Sequence, residues 1–115
     1  MQYLNVIGAV LLAGAALSGP AAAQDITRDE AATVMANCQR QRESIIAPLR
    51  EEAVDRCVTV EGLDQRDCER RNRDFGERNS GGNPDGIGWN LATCQRAEGA
   101  EKHFSENPDS DRYAY

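Results

Sequence analysis

Aromatic side chains are scarce in this chain: one Trp, three Tyr and two Phe in 115 residues. There is one histidine, His103, and one lysine, Lys102. No Cys-x-x-Cys pair occurs, and no Gly-x-Ser-x-Gly elbow. Each absence removes a chemistry. Without the elbow, and with one imidazole, a serine hydrolase has neither its nucleophile turn nor a choice of base. His103 sits near the C-terminus in polar surroundings and reads as a solvated surface histidine. Without Cys-x-x-Cys the thiol oxidoreductases, covalent haem and paired-ligand zinc sites lose their signature. A net charge of −6, from 13 basic and 19 acidic residues, argues against nucleic acid or an anionic membrane as partner. No strand alternation and no internal repeat is visible.

The N-terminus carries the one apolar run. Residues 1–23 hold no charged side chain; 6–17 are apolar apart from glycines, and Ser18-Gly19-Pro20 stops any helix. Ala21-Ala22-Ala23 supplies the small residues of a signal-peptidase site. The run is shorter than the roughly 20 residues a membrane span needs. Residues 1–23 are expected to be a cleaved signal peptide, with no membrane span after cleavage and a periplasmic or secreted product.

Downstream lie four cysteines, Cys38, Cys57, Cys68 and Cys94, separated by 18, 10 and 25 residues. In an oxidising compartment they read as two disulfides. Three pairings are open. Cys57 and Cys68 are symmetric about the turn near Leu63, so a helical hairpin would bring them together and leave Cys38 to Cys94. The expected fold is all-α: a small disulfide-stapled helical hairpin with a short third helix. It spans residues 24–104, followed by a flexible acidic tail at 105–115.

Local signals support the helices. Thr27 and Glu30 make a capping box, with Ile26 packing on Ala31. Apolar residues recur at Ala31, Met35, Cys38, Ile45, Ile46 and Leu49. Pro48 should kink or break this helix, which then resumes through Ala53, Cys57 and Val60 to a Gly62 cap. Asp64 caps a second, polar helix over 65–75, laced by charges four apart: Asp67 with Arg71, Glu69 with Arg73, Asp74 with Arg78. Residues 79–88 form a loop with a turn at Asn83-Pro84-Asp85-Gly86. Asn90 then caps a third helix carrying Leu91, Cys94, Ala97 and Phe104, weakened by Gly99.

Candidate sites are few. Set on an EF-hand, the loop puts Gly81 and Ala92 where acidic ligands belong, so no metal is assigned. It also lacks the lysine of a P-loop. Nineteen carboxylates leave acid–base chemistry open in principle, yet none lies in an apolar run that would raise its pKa. Arg66, Arg70 and Arg73 share a helical face, and Trp89 stands between loop and third helix. These four are the candidate partner surface.

The stretch Cys38-Gln-Arg-Gln-Arg-Glu-Ser-Ile-Ile-Ala-Pro-Leu-Arg, then Cys57, then Cys68 with Arg71-Asn-Arg-Asp-Phe-Gly, resembles small uncharacterised exported four-cysteine proteins of proteobacteria. The resemblance implies a periplasmic helical protein and carries over no functional residue. The nested pairing is similar to twin-cysteine hairpins of the mitochondrial intermembrane space, although the Cys-x9-Cys spacing is missing. The expectation is a non-enzymatic, cofactor-free exported protein that binds another protein or supports the envelope. Its alternatives are a carboxylate-dependent hydrolase or lyase, or a ligand or metal carrier.

Overall fold

The Thr27 hydroxyl accepts a hydrogen bond from the Glu30 amide at 3.2 Å, and the Glu30 carboxylate accepts from the Thr27 amide at 3.4 Å. This reciprocal box starts α1, Arg28–Thr59. The computed structural model describes residues 25–80 and 84–114. The expected signal peptide lies outside the described residues, as does part of the turn at 83–86.

Of the kink or break expected at Pro48, the break does not occur: α1 runs through it as one helix of 32 residues. Pro48 and Ser44 are both exposed. The carbonyl that loses its amide donor is therefore on the wet side and can be solvated. Ile46 and Val54, on either side, are buried. Packing before and after the proline outweighs a local penalty of about 3 kcal/mol.

Beyond α1, Gly62 at φ +72° turns the chain, and Asp64 caps α2, Gln65–Arg71, by accepting from the Asp67 amide at 2.8 Å. α2 is shorter than the expected 65–75. The Asn72 side chain adds a 2.9 Å bond to the Cys68 carbonyl, and residues 72–76 leave in turns that bring Gly76 against Ile46. A Cβ there would sit 2.9 Å from Ile46 Cγ1, and φ is +85°. The charge pairs are also rearranged. Asp67 pairs with Arg70, Arg78 with Glu98, and Arg71 with Glu61 at 2.9 Å.

α3, Ala92–Glu106, starts at Leu91 without a side-chain cap, so Asn90 does not serve as one. Cys94 bonds Cys38, whereas Phe104 packs with Ile26 and Ala31. α3 therefore runs antiparallel along the N-terminal half of α1. Buried Ala97 and Ala100 let the two helices approach closely. The architecture is helical with two disulfides, as expected, but α3 is the main partner of α1 and α2 is the short arm.

The segment expected to be a flexible tail is docked. Residues 105–106 finish α3. Arg112–Tyr113 (β2) pairs antiparallel with Ile26–Thr27 (β1), Ile26 opposite Tyr113. Arg28 Nη2 donates to the Pro108 and Ser110 carbonyls, each at 2.7 Å. Tyr113 lies over Gly99, where a Cβ would come 3.0 Å from its Cζ. Gly99 is thus the seat of Tyr113. Two-residue strands need no alternating pattern, which is why the sequence shows none.

Candidate functional site

The most constrained polar group in the molecule is Arg42, 1% exposed. It lies on α1 between Cys38 and Ile46, four residues from each, on the face that packs inward. Its Nε donates to the Ile87 carbonyl at 2.8 Å, Nη1 to Gln39 Oε1 at 2.7 Å, and Nη2 to the Gly76 carbonyl at 3.1 Å. Glu77 completes the set as an ion pair at 3.4 Å, its own side chain half in water. The Ile87 amide donates back to the Gly76 carbonyl at 2.8 Å. One guanidinium thus ties the two ends of the glycine loop to α1. Gly88 is needed beneath it, because a Cβ there would be 2.9 Å from Arg42 Cγ.

Trp89 completes the assembly. The Arg42 guanidinium carbon stands 4.1 Å from the indole centroid and that of Arg78 stands 4.2 Å from it. Glu77 and Glu98 balance the two cations. The indole also packs on the cluster of Cys38, Cys94 and Ala97. A planar cation over an aromatic ring is favourable, more so when desolvated as Arg42 is.

Of the four residues expected to form a partner surface, Trp89 is half-buried and its ring is taken up by Arg42 and Arg78. Arg66, Arg70 and Arg73 are exposed. Arg70 is paired with Asp67. Arg73 lies past the end of α2, so the three do not continue one helical face. Trp89 belongs with the half of α1 around Cys38, and α2 with the half around Cys57. The disulfides join Cys38 to Cys94 and Cys57 to Cys68, the nested pairing.

His103 is half-buried. Its Nε2 is 2.8 Å from Ser110 Oγ, and its ring lies 5.3 Å from that of Tyr113. Ser110 Oγ in turn donates to the Arg112 carbonyl at 2.9 Å, so this hydroxyl fastens the C-terminal segment and is not poised as a nucleophile. Among the described residues, Glu43 and Arg50 are the pair with perturbed titration. The Arg50 guanidinium, bonding both carboxylate oxygens at 2.8 and 3.2 Å, holds the Glu43 carboxyl below its ordinary range, and Glu43 raises Arg50 in return. A general acid needs the opposite shift. Among the described residues no three His, Cys, Asp or Glu side chains gather as metal ligands, and no helix is long and apolar enough to cross a membrane.

Sequence reasoning missed Arg42. The signal was there: Cys38 and Ile46 define an inward stripe whose middle position is an arginine. A charged residue midway along a core stripe calls for acceptors, and the carbonyls of Gly76 and Ile87, flanking the glycine-rich stretch, supply them.

No protein-family model, curated protein or solved structure matches the chain.

Proposed function

We propose that this is a small exported protein, periplasmic or secreted, that works by binding another protein or supporting the envelope and performs no catalysis. The observation that carries this reading is a ledge of accessible apolar side chains along α1. Ile45, Leu49 and Val60 are 38%, 39% and 77% exposed, and Leu63 follows at 37%. At about 100° per residue the first three fall within roughly 60° of one another around the helix. The same sector holds Cys38 and Arg42, which α3 and the loop cover. Where that cover ends, Ile45, Leu49 and Val60 are left uncovered, with exposed Arg56 between the last two. Exposed apolar side chains that line up differ from ones scattered singly, which need no explanation. Next to Val60, Arg56, Glu61 and Arg71 give the ledge a polar border.

The test is affinity capture from an envelope extract with the wild-type chain and with Leu49→Glu/Val60→Glu. One reproducible partner, lost with the double variant, is expected. Repeated recovery of none, or equal recovery by both, would sink the reading.

A further inference from the structure

The two disulfides sit in unlike surroundings. Cys38 and Cys94 are both 0% exposed, with Val34, Met35, Trp89, Leu91 and Ala97 packed around them. The Cys57–Cys68 bridge has buried Val54 and half-buried Val58 as its apolar company. Cys68 is the one buried residue of α2. A cleft of about 370 Å³ is lined by Ala53, Arg56, Cys57, Val60, Glu61, Arg71 and Asn72; Cys57 is 5% exposed, whereas Cys68 is 0% exposed. Arg71 is paired with Glu61, and Arg56 is exposed and unpaired among the described residues.

From this we infer that Cys57–Cys68 is a thiol–disulfide exchange site, entered at Cys57 by an anionic thiolate, whose reduction frees α2 while the α1–α3 half stays folded. Exchange requires in-line access of a thiolate to one sulfur. Cys57 lines the cleft and Cys68 does not, and the Arg56 guanidinium at its wall attracts the anion. A thiolate attacks Cys57 Sγ, a new S–S bond forms, and the Cys57–Cys68 bond breaks. The electron pair leaves on Cys68 Sγ, which takes a proton from water. A second thiol of the same reductant, deprotonated, then attacks the mixed disulfide at the reductant's own sulfur and expels Cys57 as a thiolate, which is protonated in turn. Overall a dithiol is oxidised to a disulfide and the bridge is reduced by two electrons. The partner class is therefore a dithiol, such as the active site of a thiol–disulfide oxidoreductase.

Release has a structural consequence. With the bridge gone, α2 keeps one buried side chain, too little to order a seven-residue helix. Val54 and Val58 then lose their cover and extend the apolar surface of α1.

The experiment uses the intact, oxidised protein and dithiothreitol, with alkylation of free thiols at timed intervals and peptide mapping. Cys57 and Cys68 should become alkylated at least about tenfold faster than Cys38 and Cys94, with Trp89 emission unchanged through the first phase. With glutathione, the captured mixed disulfide should lie on Cys57. Arg56→Gln should slow glutathione about two- to threefold and leave cysteamine, whose ammonium offsets its thiolate, little affected. Simultaneous reduction of both bridges, earlier loss of Cys38–Cys94, a Trp89 change in the first phase, or an adduct on Cys68 would overturn the inference. An Arg56→Gln effect equal for both thiols would remove the electrostatic part of it.

Discussion

The two halves of α1 are built differently although one helix runs through both. Around Cys38 the helix has a 15-residue antiparallel partner, a buried arginine with its acceptors, an indole and a docked C-terminus. Around Cys57 it has a seven-residue partner, a disulfide and two valines. In the first half the disulfide reinforces a packed interface. In the second the disulfide largely is the interface. The same covalent bond therefore has different consequences when lost, and the difference follows from how much apolar surface each partner helix brings.

The strongest way to break this comparison is to remove each bridge in turn. Cys38→Ser/Cys94→Ser opens a loop with a sequence separation of 56, worth about 4 kcal/mol on chain entropy, and leaves hydroxyls in a buried cluster. The expected outcome is loss of cooperative thermal unfolding near room temperature, read by circular dichroism and Trp89 emission. Cys57→Ser/Cys68→Ser opens a separation of 11, nominally about 3 kcal/mol. That figure assumes the whole fold depends on the bridge, and α2 does not carry the rest of the core. The expected result is loss of α2 helicity, with the main transition, followed by Trp89, lowered by less than the chain-entropy figure. Equal collapse in both variants would show that the two halves are one cooperative unit.

Arg42 comes next. Arg42→Lys keeps the charge and loses the fork that reaches Ile87, Gly76 and Gln39 together. Breaking a buried charged network costs about 3 kcal/mol. The effect should appear first as a changed Trp89 emission and as faster proteolysis between Gly76 and Gly88, with α2 unaffected. A variant of wild-type stability and emission would mean that the loop is held by something other than this guanidinium.

What could be read in advance tracks how local the cause is. The Thr27 box and the Asp64 cap are each decided within four residues and stand where the sequence puts them, whereas Gly62 is left-handed as expected but the C-cap of α1 is Val60. The disulfide pairing was legible because two cysteines flank one turn. The break expected at Pro48 was misjudged because its local penalty is set against burial of Ile46 and Val54, whose partners Gly76 and Cys68 lie far along the chain. The C-terminal pairing was hidden because β1 and β2 lie about 86 residues apart and are two residues long. Arg42 was hidden in the same way, since its acceptors are carbonyls 34 and 45 residues away. The accessible ledge at Ile45, Leu49 and Val60 needed to know where α3 ends.

Gly99 refines the comparison within the packed half. Gly99→Ala improves intrinsic helix propensity by about 1 kcal/mol, yet its Cβ would overlap the Tyr113 hydroxyl and approach its Cζ. If the C-terminal segment contributes to this half, the variant should be no more stable than wild type, and amide exchange at Ile26 and Tyr113 should speed up. A clear gain in melting temperature with unchanged exchange would show that β2 adds nothing.

The smallest effect concerns the seam between the halves. Glu43 and Arg50 are seven residues apart and their bidentate pair spans Pro48. Because the Arg50 guanidinium depresses the Glu43 carboxyl, the folded pKa lies below the unfolded one. The pair's contribution is therefore present above the unfolded carboxylate pKa and fades as pH falls through the folded value. Both side chains reach solvent, so the contribution is small and salt-sensitive. Glu43→Gln should lower the denaturant midpoint slightly at neutral pH and low salt, and not at all at a pH below the folded carboxyl value or in molar salt. A shift of equal size at both pH values would assign the effect to helix propensity. If the shift instead grows on acidification, the pair is not bracing the helix across Pro48, and the continuity of α1 between its two halves rests on packing alone.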